Sequence, residues 1–123
     1  MKPLLLSTIL FFLACSDKTT GIKPADLVNK TLEYTYGESI YHVLFDSDST
    51  MHWEAMAGDE KGIKANETYL AEHVGENKIF ITWSEENGIG VSQLLDFEKG
   101  IVYNHLIKGR KISTGSGKIK LIQ

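Results

Sequence analysis

KIFITWSEENGIGVSQLLDFEKGIVYNHLI, residues 78–107, contains three strand-length segments separated by two short turns. Apolar residues recur at every second position from Ile79 to Trp83, so their side chains share one face of a strand. The interruptions, Glu86-Asn87-Gly88 and Glu98-Lys99-Gly100, consist of residues that tight turns favour. The stretch therefore predicts three consecutive antiparallel strands joined by hairpins.

The same alternation of strand segments and turn residues continues on both sides of this stretch. The flanking strand segments fall at residues 31–36, 39–46, 50–57, 66–74, 111–114 and 118–122. None of them keeps a helical period, and the helical signal is confined to a short segment that begins at Pro24. The pattern predicts an all-β domain over residues 24–123, a small antiparallel up-and-down β-barrel of eight or nine strands with a short N-terminal helix. The interior of such a barrel has room for side chains or for one small ligand.

Length and charge restrict the classes of function. The 123 residues suffice for one domain with its own core. Lys and Arg number 13 against 16 Asp and Glu, which gives a net charge of −3. Because the chain has no basic excess, it lacks the electrostatic footprint that phosphate backbones require, and no nucleic acid partner is expected.

The N-terminus carries the pattern of an export signal. Residues 4–14 are uncharged and mostly apolar, follow Lys2 and end at Cys15, the single cysteine of the chain. Such a run is too short to span a bilayer and is typical of a secretory signal peptide. The segment Leu13-Ala14-Cys15 resembles the cleavage site of bacterial lipoproteins, at which the cysteine becomes lipidated.

We therefore predict a lipoprotein signal peptide over residues 1–14, lipidation at Cys15 and a flexible tether over residues 15–23. The protein is expected in the bacterial cell envelope, held by its lipid anchor to a membrane, on the periplasmic or outer-membrane face. An ordinary signal peptide with an incidental cysteine is the alternative. An unpaired thiol is, however, prone to oxidation or intermolecular disulfide formation in an oxidising compartment, and lipidation of the cysteine removes the free thiol.

Three stretches of the sequence resemble a known family, namely EYTYGES (33–39), TMHWEAMAG (50–58) and ITWSEENGIGVSQLLDFEKGIVY (81–103). They resemble the MoaF-like group of calycin barrels, which are lipocalin-type barrels, and its relatives, the phenolic acid decarboxylases. The resemblance spans residues 27–107. It rests on a Tyr-x-Tyr motif followed by Gly, and on a Thr-Trp-x-Glu motif followed by Gly and then Val-Ser.

The resemblance implies a ligand cavity inside the barrel. In the decarboxylases this cavity holds a hydroxycinnamic acid, and a tyrosine pair, an arginine and a glutamate perform a cofactor-free loss of carbon dioxide. By position, the tyrosines are Tyr34 and Tyr36 and the glutamate is Glu85. The arginine has no counterpart, because residues 58–66 offer only lysines and the sole arginine of the chain is Arg110. A lysine does not replace an arginine where a planar fork of donors is needed.

The favoured function is therefore binding of a small, partly apolar molecule in the lumen, and the alternative is a cofactor-free lyase that acts on an aromatic carboxylic acid. The candidate ligand-binding residues are Tyr34, Tyr36, Trp53, Trp83 and Glu85. Each also has a plain structural interpretation, the aromatic residues as core and the glutamate as a solvated strand end. A structural or inhibitory envelope protein with a filled barrel is the third possibility.

No metal ion and no cofactor is expected. The histidines fall on different strand segments without the spacing of metal ligands, and they are His42, His52, His73 and His105. Residues 46–57 begin like a calcium-binding loop but lack its glycine and its terminal glutamate. The glycine-containing segments 88–90 and 115–117 do not precede helical patterns, which argues against phosphate-binding loops.

Overall fold

The computed structural model describes residues 21–123, in which eight antiparallel strands form a closed barrel. The strands, numbered in chain order, are β1 (Thr31–Tyr36), β2 (Ser39–Phe45), β3 (Thr50–Ala57), β4 (Lys64–Gly75), β5 (Lys78–Ser84), β6 (Gly90–Asp96), β7 (Ile101–Lys108) and β8 (Lys111–Leu121). Each strand pairs with its successor, and β8 closes the barrel by pairing with β1. The predicted small up-and-down barrel is confirmed, and its closure pairs the first strand with the last.

The predicted signal peptide (1–14), the predicted lipidation site Cys15 and most of the predicted tether lie outside the described residues. The last tether residues are described and lie against the barrel. Ile22 packs on the core, and its backbone N–H donates a hydrogen bond to Oδ1 of Asn77 at 3.0 Å. The chain therefore approaches the barrel beside the turn between β4 and β5. Nowhere in residues 21–123 is there a helix long and apolar enough to cross a membrane.

The predicted N-terminal helix is a single 3₁₀ turn, Pro24–Leu27. Its start is stabilised by Asp26, whose Oδ2 accepts a hydrogen bond from the backbone N–H of Lys23 at 2.9 Å. Leu27 is only 2% exposed and belongs to the core. The turn therefore covers one end of the barrel.

The barrel is filled at the end that the 3₁₀ turn covers. The large side chains that are fully buried come from alternate positions of successive strands and from this turn, and they are Leu27, Leu32, Phe45, Met51, Tyr69, Ile79, Ile81, Leu95 and Val102. Burial of each such aliphatic side chain stabilises the fold by about 1.5–3 kcal/mol. Because this packing occupies one end of the interior, the remaining space lies at the opposite end.

One strand differs from the prediction. Residues 115–117, predicted to form a turn, belong to the continuous strand β8, so the segments 111–114 and 118–122 are parts of one strand. A Cβ atom at Gly117 would lie 2.6 Å from the backbone oxygen of Thr35. The glycine therefore permits the close approach of β1 to β8 and does not reverse the chain.

Candidate functional site

A cavity of about 260 Å³ lies in the lumen at the end opposite the 3₁₀ turn. Its walls come from β1, β2, β3, β5, β6 and β7 and from two loops, through Tyr34, Tyr36, Ser39, Tyr41, Val43, Trp53, Glu60, Trp83, Glu85, Ile89, Val91, Gln93, Asn104 and Leu106. Pockets for drug-sized ligands measure roughly 300–1,000 Å³, so this cavity suits a smaller molecule.

All five residues predicted as candidate ligand-binding residues line this cavity. Tyr34 and Tyr36 do so because side chains of a strand alternate between its two faces, and the even positions of β1 point inward. Trp83 lies on the inward face of β5, and Glu85 follows in the adjoining turn. Trp53 reaches the cavity from β3. The predicted set is therefore brought together around one space.

Aromatic rings form a continuous row along one wall of the cavity. The ring centroids of Tyr34 and Tyr36 are 6.4 Å apart, those of Tyr36 and Tyr41 6.1 Å, and those of Tyr41 and Trp53 6.0 Å. The interplanar angles of these pairs lie between 70° and 84°. Edge-to-face contacts of this kind stabilise aromatic pairs beyond the burial of their area. The row makes this wall largely aromatic.

Carboxylate groups accompany the aromatic side chains. Oε2 of Glu85 accepts a hydrogen bond from the indole N–H of Trp83 at 3.4 Å, and Oε2 of Glu60 accepts one from the hydroxyl of Tyr41 at 3.2 Å. Glu67, which is buried, accepts a hydrogen bond from the indole N–H of Trp53 through Oε1 at 3.3 Å. Each carboxylate is thus held against an aromatic residue of the cavity wall.

The environment of Glu85 and Glu67 disfavours the ionised form of both carboxyl groups. Burial raises the pKa of Glu85, the hydrogen bond from Trp83 opposes the shift, and the negative charges of Glu67 and Glu60 raise it further. Burial also raises the pKa of Glu67. The pKa of Tyr41 is raised to about 12, chiefly by burial and then by Glu60. The negative charges of Glu67 and Glu60 therefore act on a partly buried Glu85 carboxyl group.

The cavity lining contains no cationic side chain. Arg110 is exposed in the turn between β7 and β8, Lys61 is exposed in the loop between β3 and β4, and Lys64 is exposed at the start of β4. None of these three residues lines the cavity. The arginine that decarboxylase chemistry would require therefore has no equivalent in the lining.

Two polar atoms of cavity-lining residues are buried without a hydrogen-bond partner. They are the hydroxyl oxygen of Tyr34, a residue that is 2% exposed, and Oε1 of Gln93, a residue that is 4% exposed. The amide nitrogen of Gln93 is satisfied, because it donates to Oδ1 of Asn104 at 3.0 Å and to the hydroxyl of Tyr36 at 3.4 Å. An unsatisfied buried polar group costs about 1–3 kcal/mol. Two residues of the cavity wall thus carry a buried phenol oxygen and a buried amide oxygen that lack partners.

Several polar residues of the site were not among the predicted ones, namely Tyr41, Glu60, Glu67, Gln93 and Asn104. The tight turn between β1 and β2 places Tyr41 opposite Tyr34. The register of this hairpin could therefore have predicted that Tyr41 lies beside the predicted tyrosines. Gln93 interrupts the apolar inward face of β6, and an inward polar residue is a recognisable signal. Glu60 lies in a loop, where no alternation indicates its direction.

Two of the four histidines, His42 and His52, contact carboxylates. His42 contacts Glu33 at 3.0 Å, and His52 contacts Asp46 at 2.8 Å. Among residues 21–123, no group of three or more His, Cys, Asp or Glu side chains is placed to hold a metal ion.

A second depression lies on the outside of the barrel, across β5 to β8. Its lining is mostly apolar and consists of Phe80, Ser92, Leu94, Tyr103, His105, Leu106, Ile107 and Ile112. It has no carboxylate in its lining. The lumen, which combines apolar walls with converging polar groups, is the better candidate site.

Comparison with known proteins supports the architecture. A family model described as MoaF-like matches residues 28–120. No curated protein matches the chain. The crystal structure of a candidate beta-lactamase from Burkholderia vietnamiensis is similar, with a TM-score of 0.74 and 18% sequence identity, over 82% of this chain and 100% of that chain. At this identity the similarity concerns the fold alone.

Proposed function

The chain belongs to the MoaF-like family, and from this membership and the geometry of the lumen we propose that the barrel binds a small, partly apolar molecule. The observation that carries the proposal is the pair of unpartnered buried atoms, the Tyr34 hydroxyl and Oε1 of Gln93, in residues that line a cavity. A barrel that served only as a scaffold would gain stability by filling this space with apolar side chains. A ligand that reaches these atoms would satisfy both of them.

The walls define the general character of the ligand. Aromatic and aliphatic side chains supply most of the lining, so an apolar body is favoured by burial against them. The polar groups at the deep end and the carboxylates near the turns favour a polar substituent as well. A molecule with an apolar body and a few polar atoms meets both requirements.

Binding is favoured over the lyase alternative, which would use Tyr34, Tyr36 and Glu85. A carboxylic acid substrate would enter a lining that contains Glu60 and Glu85 but no cationic partner. In an active site, loss of one electrostatic contact costs about 10² to 10³ in rate. The lining therefore supports recognition without turnover.

Binding is tested by a small-molecule screen of the purified protein, read by tryptophan fluorescence and by melting temperature. Both tryptophans of the chain line the cavity, so a lumen ligand should change the fluorescence and raise the melting temperature together. Tyr36→Phe should weaken the binders that the screen finds, whereas Tyr103→Phe, on the exposed face of β7, should not. Absence of any binder in a broad screen of a folded barrel would contradict the proposal.

We also propose that the protein is a bacterial lipoprotein anchored in the cell envelope through Cys15. The support is the apolar segment 4–14 that ends at the single cysteine. The described chain begins beside the filled end of the barrel. Intact mass and membrane fractionation test this: Cys15→Ser should abolish both the added lipid mass and membrane association, and an unmodified soluble wild-type protein would refute it.

A further inference from the structure

We infer that the ligand of the lumen is a small organic cation, such as a protonated amine that carries an aromatic or aliphatic group. This inference rests on the proposed binding function and specifies the chemical class of its ligand. Three independent features of the cavity support it: the sign of its charges, the aromatic rings beside the carboxylates, and the unpartnered atoms at its deep end.

The charged groups at the cavity are all acidic. Glu60 and Glu85 line it, and Glu67 lies close enough to Glu85 to raise the pKa of that carboxyl group. Since the lining has no lysine, arginine or histidine, nothing within the cavity neutralises these charges. A bound cation would relieve their mutual repulsion, and an anion would add to it.

The aromatic residues adjoin the same carboxylates. Trp83 donates its indole N–H to Glu85, and the Tyr41 hydroxyl donates to Glu60. Tyr41 also contacts Trp53, with a distance of 6.0 Å between the ring centroids. Organic cations are attracted to the faces of tryptophan and tyrosine rings, and the attraction is stronger where water is displaced. Since the carboxylates of Glu60 and Glu85 and these aromatic side chains line one cavity, a cation bound there would have both kinds of group nearby.

The unpartnered atoms distinguish donors from acceptors. Oε1 of Gln93 can only accept a hydrogen bond, and its amide nitrogen is already engaged with Asn104 and Tyr36. A ligand that satisfies this atom would therefore bring an N–H or O–H group to it. A carboxylate group has only acceptor atoms and would leave Oε1 unsatisfied if it occupied this position. An ammonium group, or an amine ligand with a second donor, fits this end of the cavity.

A series of ligands of similar size and different charge tests the inference. The probes are 2-phenylethylamine, which is a cation at pH 7, the neutral 2-phenylethanol and the anion phenylacetate, each titrated against tryptophan fluorescence. We expect the amine to bind about tenfold or more tightly than the alcohol, because hydrogen bonds to charged groups are the stronger ones. Phenylacetate should bind most weakly.

The outcomes separate this inference from the proposed function. Equal or tighter binding of the alcohol or of phenylacetate would overturn the cation inference and leave the binding function intact. If none of the three probes binds, the inference is tested by the charges of the compounds that the broad screen finds. Neutral or anionic binders would overturn the inference, and cationic binders would support it. If no compound binds, the proposed function fails.

Two neighbouring glutamates supply a matched pair of variants. Glu85 lines the cavity, whereas Glu86 is exposed in the following turn and does not line it. Glu85→Gln should weaken 2-phenylethylamine about tenfold or more and affect 2-phenylethanol little. Glu86→Gln, which removes the same charge one position away, should leave both affinities nearly unchanged. An equal loss for amine and alcohol in Glu85→Gln, with an unchanged melting temperature, would show that the ligand's charge is not recognised.

Discussion

At the scale of single residues, two buried tyrosines differ in what their hydroxyl groups contact. Tyr34 and Tyr69 are both 2% exposed, yet the Tyr34 hydroxyl has no partner, while the Tyr69 hydroxyl donates to the backbone oxygen of Ser47 at 2.6 Å. Tyr34→Phe should therefore leave the free energy of unfolding unchanged or raise it. Tyr69→Phe should lower it by about 1–3 kcal/mol, because the Ser47 oxygen loses its donor.

Denaturant melts of the two variants and of the wild type measure this difference. A loss of 1 kcal/mol or more in Tyr34→Phe would mean that the hydroxyl has a partner in the free protein. The Tyr34 hydroxyl would then no longer support the proposal that a ligand binds in the lumen. The Tyr69 variant shows that the assay detects the loss of one hydrogen bond.

A second prediction at this scale concerns pH. Burial raises the pKa of Glu85 above its ordinary value, and the groups that face it are the indole N–H of Trp83 and the carboxylates of Glu67 and Glu60. A cation binds best to the ionised carboxylate, so amine affinity should be full above the raised pKa and fall as the pH drops through it. The decline should begin at a higher pH than for an ordinary exposed glutamate.

Titrations of 2-phenylethylamine across the acidic range measure this effect, since the amine itself stays protonated throughout. In Glu85→Gln the acid-dependent decline should become smaller, and the remaining decline should reflect Glu67, whose pKa is also raised by burial. An affinity that rises on acidification in the wild type would contradict a role for these carboxylates.

At the scale of elements, two glycines of β8 give a matched test of barrel packing. A Cβ atom at Gly117 would lie 2.6 Å from both the Thr35 backbone oxygen and the Tyr36 ring, whereas at Gly115 it would meet nothing within 4 Å. Gly117→Ala should therefore destabilise the barrel by about 1–3 kcal/mol through overpacking. Gly115→Ala should be neutral or stabilising, because it reduces the freedom of the unfolded chain. Equal effects of the two substitutions in thermal melts would contradict the close approach of β1 and β8.

The strands show how far the sequence could predict the elements. Alternation predicted the inward faces of β1 and β5, and hence the positions of Tyr34, Tyr36 and Trp83, because the side-chain period of a strand is fixed by its geometry. Alternation could not distinguish a glycine that makes room for a neighbouring strand from one that turns the chain, and this explains the error at residues 115–117. It also could not place Glu60, whose position depends on the path of a loop.

At the scale of the whole molecule, the barrel has one filled end and one end with space. The 3₁₀ turn and the large core residues fill the first end, and the cavity with its acidic and aromatic lining occupies the other. Closure of all eight strands fixes the diameter, so the lining residues are held in place by the ladder of hydrogen bonds around them. The sequence predicted the barrel and five lining residues, but the extent to which the interior is filled depends on how all strands pack together.

The central claim is that a small molecule binds inside this barrel, and the indole N–H groups test it most directly. The chain has two tryptophans, Trp53 and Trp83, and both indole N–H groups donate to carboxylates of the site region. In a nuclear magnetic resonance titration with 2-phenylethylamine, and beside it the tightest compound from the screen, we predict saturable shifts of both indole signals with one common Kd. Indole signals that stay fixed while the signals of outer residues such as Tyr103 and Ile112 move would contradict binding in the lumen.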